Sequence, residues 1–174
     1  MRILFCLILS IIFLSIRAQT DYFNKYKPLA DSLSEKYEVP SCIILCVGFL
    51  ESGGGKSKVA TILNNHFGIV GKNNLHKKGR FKSKYKYFYS VSDSYNSFCK
   101  LIASKSYYST LKGNKDIDKW AIAIASKGYA ENANLWSSYI IKLAKKLSKI
   151  TSPPTEEDIK WAKKIILKRK SKSK

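Results

Sequence analysis

Nine consecutive residues, Cys42 to Leu50, carry no polar side chain, and the run stops at Glu51-Ser52 before three glycines, "CIILCVGFLESGGGKS". A segment that is apolar on every side must be buried, whatever backbone it adopts. Periodicity does not separate a buried strand from a buried helix here. Pro40-Ser41 marks a helix start, and we read a core helix whose C-terminal end delivers Glu51 to a glycine break.

The end of this stretch looks like a phosphate-binding loop. Such a loop needs G-x-x-x-x-G-K-[ST] so that backbone N–H groups wrap the phosphates. Counting back from Gly55-Lys56-Ser57 puts Leu50 where the first glycine belongs, and Glu51 would face the phosphates with its own charge. The nucleotide reading fails on both grounds.

The chain begins "MRILFCLILSIIFLSIRAQ", with a basic start at Arg2, an apolar run from Ile3 to Ile16, and Ala18 as a small residue beyond it. That pattern predicts a signal peptide over 1–18. The run is shorter than the ~20 apolar residues of a membrane span. Cys6 belongs to the apolar run. Export also argues against ATP as ligand. The remaining thiols, Cys42, Cys46 and Cys99, are odd in number, so they cannot all pair. Cys42 and Cys46 are poorly placed to bridge each other, and Cys99 could bridge either after export. The three are read as buried thiols acting as small hydrophobes.

The formal net charge is +20, from 32 basic and 12 acidic residues. Removing Arg2 and Arg17 with the leader leaves 30 against 12, or +18. Such a field favours a polyanionic partner: nucleic acid, an anionic envelope polymer or a membrane surface.

After the leader the pattern is largely helical. Tyr22, Phe23, Tyr26, Leu29, Ala30, Leu33 and Tyr37 form one apolar face, with Pro28 as an expected boundary or kink. Ser57 is a candidate cap for a helix bearing Val59, Ile62 and Leu63. From Phe67 to Tyr89, glycines, lysines and aromatics with alternation at Phe81, Ser83, Tyr85 and Tyr87 predict a small hairpin lobe. Helices follow from about Ser92, from Asp116 or Asp118 to Gly128, and over "ENANLWSSYIIKLAKKLSK". Pro153-Pro154 ends the core, and a basic helix with a tail completes the chain. The expected organisation is a leader (1–18), one domain (19–150) and a basic C-terminal extension (151–174).

Four stretches in order, "LESGGGKS", "NNHFGI", "YFYSVSDSYNSF" and "GYAENANL", resemble the glucosaminidase family of cell-wall hydrolases, glycoside hydrolase family 73. Flagellar peptidoglycan hydrolases and many autolysin domains belong to that family. The resemblance covers roughly residues 25 to 147. It implies an α+β, mostly α, lysozyme-like helical domain with a small β-hairpin lobe. It also implies cleavage of the β-1,4 bond after N-acetylglucosamine in peptidoglycan glycan strands. Glu51 matches the catalytic general acid. Tyr129 matches the tyrosine of Gly-Tyr-Ala beside the acid. Asn65, Phe67, Gly68, Tyr87, Phe88, Ser94 and Trp120 are the expected substrate-side residues.

Two departures stand out. Gly54 lies where the family often has Trp. The lobe from Gly71 to Ser92 has no Asp or Glu, where relatives often supply a second carboxylate. Asp93 and Glu131 are the candidates to replace it, Asp93 doubling as a helix cap. The alternative is that the substrate's own 2-acetamido group acts as nucleophile. No cofactor or metal is implied, because His66 and His76 have no Cys/His/Asp cluster at metal spacing. A monomer is expected. A nucleic-acid-binding role would account for the charge but not for the leader or the ordered motifs, so nucleic acid is not expected as a partner. The rival reading is a cationic wall-binding protein with a degenerate site.

Overall fold

The structure is a computed structural model that describes residues 2–129 and 132–151, with side-chain environments for 20–75, 78–129 and 132–147. Glu131 and the expected basic helix and tail beyond Thr151 lie outside the described residues. The contacts divide the chain into residues 1–144 and 145–174. The first unit holds the core and the site; in the second, residues 145–151 are helical.

The apolar run is the helix α2, Ser41–Ser52, and every residue from Ile43 to Gly48 is buried. It packs on α1 (Arg2–Tyr37), α5 (Val91–Ala103) and α7 (Ile117–Ile124). Three neighbours explain why it is apolar all round. Gly53, at φ 59, ends α2 in a left-handed cap, its N–H bonding the carbonyls of Leu50 and Phe49; glycine reaches that conformation without a Cβ penalty. Gly48 has a different reason. A Cβ there would lie 3.0 Å from both Tyr22 Oη and Tyr95 Oη, so α1 and α5 approach at that point because the side chain is missing.

Pro28 does not end α1, which runs through it. Pro28 and Asn24, whose carbonyl the ring frees, are both exposed, so water can take over the lost hydrogen bond. The expected caps are present. Ser57 accepts from Ala60 N at 3.1 Å to open α3 (Lys58–Leu63). Asp116 accepts from the N–H groups of Asp118 and Lys119 to open α7. Short helices α4 (Asn74–Lys77) and α6 (Tyr108–Leu111) and a π-type turn, Ala125–Tyr129, precede α8, Ala133–Thr151.

The fold is mostly helical, and among the described residues the lobe forms no strand. The expected hairpin is reduced to one antiparallel bridge between Val70 and Tyr85. Backbone bonds flank it from Gly71 N to Lys84 O (3.1 Å) and Lys86 N to Ile69 O (2.7 Å). A two-stranded ribbon is marginal without a third strand. Here α4 and the Asn73 amide, which donates to Phe81 O at 3.1 Å, take over the closing of the loop. The three thiols are free, Cys46 and Cys99 buried and Cys42 half-buried. Burial pushes the Cys99 thiol up to about 12, which keeps it protonated and unreactive.

Candidate active site

A cleft of about 970 Å³ opens beside the C-terminal end of α2. Leu50 and Glu51 line it from α2, Phe67 to Val70 from the loop after α3, and Lys84 and Tyr85 from the lobe. Gly128 and Tyr129 come from the π-type turn, and Asn132, Leu135, Trp136 and Tyr139 from the start of α8 and its approach. Among the described residues lining it, Glu51 is the one acidic side chain and Lys84 the one basic.

Glu51 sits in the last turn of α2, half-buried. Its Oε1 accepts a 2.8 Å hydrogen bond from Trp136 Nε1. Among the described residues no lysine pairs with it, so the ion pair with Lys56 or Lys58 that a helix-end glutamate would suggest is not formed. Burial raises its pKa, and the Trp136 hydrogen bond acts against that rise. A carboxyl in this setting holds a proton at a higher pH than an exposed one.

Tyr129 packs its ring on Trp136, 5.5 Å between centroids, and donates from Oη to Phe67 O at 3.0 Å. Burial, and then the neighbouring Glu51 charge, hold its phenol well above its ordinary pKa. Phe67 is buried with its ring stacked on Phe98 at 4.2 Å. It meets the cleft beside Gly68, which has φ 63.

Other expected residues lie elsewhere. The Asn65 amide is spent on the loop backbone: Nδ2 donates to Ile69 O (2.8 Å) and Lys86 O (2.9 Å), while Oδ1 accepts from Phe67 N and Ile69 N. It shapes the loop that carries Phe67 and Gly68 and does not line the cleft. Ser94 is buried, and its Oγ accepts from His66 N at 3.0 Å. Phe88 is in the core, and Tyr87 packs against Tyr89 and does not line the cleft. Trp120 is fully buried, its Nε1 donating to Asn114 O at 2.8 Å; it anchors α7 and does not meet the cleft. Asp93 closes a capping box with Ser90, Oδ2 accepting from Ser90 N and Oγ. It therefore serves the start of α5 and not the cleft. At Gly54, φ is +67 and a Cβ would stand 3.2 Å from Phe49, so a larger side chain there requires Phe49 to move.

Trp136, Tyr85, Lys84 and Tyr139 were missed as cleft residues. A signal existed: Asn132, Leu135, Trp136 and Tyr139 follow i, i+3, i+4, i+7 spacing, and Leu135 and Tyr139 remain exposed. Periodicity shows that they share a face, not that the face borders a cleft.

Behind α2, Tyr22 Oη lies 2.9 Å from His66 Nδ1 and 2.7 Å from Tyr95 Oη. Burial, with a smaller contribution from Lys25, lowers the His66 pKa to about 4. The imidazole is thus neutral near pH 7 and serves the packing.

The glucosaminidase family, described as mannosyl-glycoprotein endo-beta-N-acetylglucosaminidase, matches residues 27–149. No curated protein matches the chain. Among solved structures, the catalytic domain of the autolysin Auto from Listeria monocytogenes is similar, with TM-score 0.60 and 21% identity over 74% of this chain and 84% of that one. The glycoside hydrolase domain of FlgJ from Salmonella typhimurium has TM-score 0.60 and 18% identity, covering 87% and 98%. A chain of a type VI secretion system effector–immunity complex from Pseudomonas protegens has TM-score 0.56 and 22% identity, covering 75% and 94%. At such identities these likenesses speak to the fold. The family match, over well more than half of the chain, makes this protein a member of the glucosaminidase family of glycoside hydrolases, family 73.

Proposed function

We propose that the protein is an exported peptidoglycan hydrolase that cleaves the β-1,4 bond after N-acetylglucosamine, with Glu51 as general acid. The observation that carries the reading is the placement of Glu51: the one described carboxyl lining the cleft, half-buried and with a raised pKa. Burial favours the protonated form of such a group, which ionises on giving its proton to the leaving oxygen. Structures similar to this one include a peptidoglycan hydrolase from Sphingomonas sp. A1. The leader-like N-terminus and the excess of lysine suit export to an anionic wall. There the lysines hold the enzyme on acidic polymer, and it works as a monomer.

Asp93 is committed to its cap, which favours the route in which the substrate supplies the nucleophile. The acetamido carbonyl oxygen attacks the anomeric carbon as Glu51 protonates the departing glycosidic oxygen. A cyclic oxazolinium forms. Water, deprotonated by the Glu51 carboxylate, opens it and restores both the acetamido group and the acid. The Tyr129 phenol donates to Phe67 O, so its oxygen lone pairs remain to accept the acetamido N–H.

The second reading is a wall-binding protein with little activity, favoured by the single carboxyl among the described cleft residues. Digestion of purified sacculi followed by muropeptide analysis separates the two. New reducing-end N-acetylglucosamine supports the enzyme. Intact sacculi retaining bound protein support the binder. New reducing-end muramic acid would mean that a different bond is cut.

A further inference from the structure

We propose that Trp136 is the positioning residue of the acid: by donating its indole N–H to Glu51 Oε1, it assigns the catalytic proton to Oε2 and stabilises the carboxylate left when that proton departs. The inference rests on the general-acid reading of Glu51 and deepens it.

The geometry is specific. Trp136 Nε1 and Glu51 Oε1 are 2.8 Å apart across 85 positions of sequence, joining α8 to the end of α2. Indole N–H is a donor only. It cannot take the proton, so its part is to orient the acid. A protonated carboxyl has one hydroxyl oxygen and one carbonyl oxygen, and the carbonyl is the better acceptor. An N–H aimed at Oε1 therefore makes Oε1 the carbonyl and leaves the proton on Oε2. The Trp136 ring is held in turn by Tyr129, 5.5 Å away, whose hydroxyl is tied to Phe67 O. The indole is thus braced from the turn that also borders the cleft, and the carboxyl cannot rotate without breaking its bond.

The same bond discriminates between ground and transition state. A hydrogen bond to a neutral carboxyl is ordinary; one to a carboxylate is about twice as strong. The contact strengthens as Glu51 gives up its proton, which is the differential binding that lowers a barrier. The two influences on Glu51 also oppose each other, burial favouring the protonated acid and the indole favouring the anion.

The test is Trp136→Phe, which keeps an aromatic ring on Tyr129 and removes the N–H. The expected result is a fall in kcat of about tenfold, the difference between a neutral and a charge-assisted hydrogen bond, with KM changed less. The alkaline limb of kcat/KM should move to higher pH, since the anion has lost its donor. Unchanged kcat and an unmoved limb, with the fold confirmed by circular dichroism, overturn the proposal. A second measurement uses the unsubstituted protein, in case the variant fails to fold. The Trp136 indole ¹⁵N–H signal should follow the titration of Glu51 and lose that response in Glu51→Gln; an indole signal indifferent to pH overturns the proposal. Glu51→Gln separates the two levels. An inactive Glu51→Gln beside an unaffected Trp136→Phe removes this inference alone. A fully active Glu51→Gln removes the general-acid reading and this inference with it.

Discussion

Tyr129 and Phe67 are joined by a 3.0 Å hydrogen bond from the phenol to the backbone carbonyl, linking the turn after α7 to the loop that floors the cleft. The bond uses the phenol's only proton and leaves its oxygen free to accept. Tyr129→Phe should lose about 10²-fold in sacculus clearing, the scale of loss when a reacting group is misoriented. Asp93→Asn should keep most activity, because the Asp93 carboxylate closes a capping box. A collapse in Asp93→Asn with the fold intact would favour a protein base over the substrate's acetamido group.

Glu51→Gln should lower hydrolysis by ~10²–10⁴-fold, the usual worth of general acid catalysis. Its stability should move the other way. The folded pKa of Glu51 is raised, so the native state binds the proton more tightly than the unfolded chain. Its favourable contribution is present below the unfolded pKa and is lost as pH rises through the folded one. Near neutral pH the glutamine variant should therefore melt at or above the wild-type temperature, with the advantage shrinking in acid. Calorimetry across pH checks the sign.

His66 gives the opposite acid response. Its pKa falls from 6.5 to about 4 on folding, so the unfolded chain takes up a proton that the native state refuses. Stability should decline as pH drops through that window and level off below it. The groups facing the ring are Tyr22, Tyr26, Tyr95 and Lys25, and none is a carboxylate that would offset the charge. Denaturant melts against pH should show this slope in wild type and a flatter one in His66→Gln; equal slopes would remove His66 as its source.

Gly48→Ala should destabilise the fold by ~1–3 kcal/mol, the usual cost of overpacking, although alanine is the better helix former. The added methyl would stand 3.0 Å from Tyr22 Oη and Tyr95 Oη and 3.1 Å from Phe67 Cζ. A neutral or stabilising result in urea melts would mean that the two tyrosines yield without loss.

Binding to sacculi should weaken as salt rises past physiological strength, where exposed charges are screened over ~8 Å. Deleting Thr155 to Lys174 removes Lys160, Lys163, Lys164, Lys168, Arg169, Lys170, Lys172 and Lys174, and should weaken binding further. Pull-down with sacculi against a salt series reads both effects. Binding indifferent to salt and deletion would show that the extension plays no part in attachment.

Several features were decided by the sequence alone, because local chemistry is enough to set them. The run from Cys42 to Leu50 had to be buried, Gly53 could end a helix in a left-handed cap, and Ser57 and Asp116 could bond the first free N–H groups of the helices they precede. The order of four motifs was enough to point to the family and to Glu51. Tertiary structure decided what the side chains meet. Trp120 and Trp136 both lie on amphipathic helices, and nothing in their local sequence distinguishes them; packing sends Trp120 into the core and Trp136 to the Glu51 carboxyl. Asn65 sits in a motif yet spends its amide on backbone brought together by the loop. The lobe alternates like a hairpin but closes on one bridge, since no third strand among the described residues supports it. Periodicity reports which residues share a face. Which neighbour covers that face depends on contacts between distant parts of the chain, and these exist only once the helices have packed.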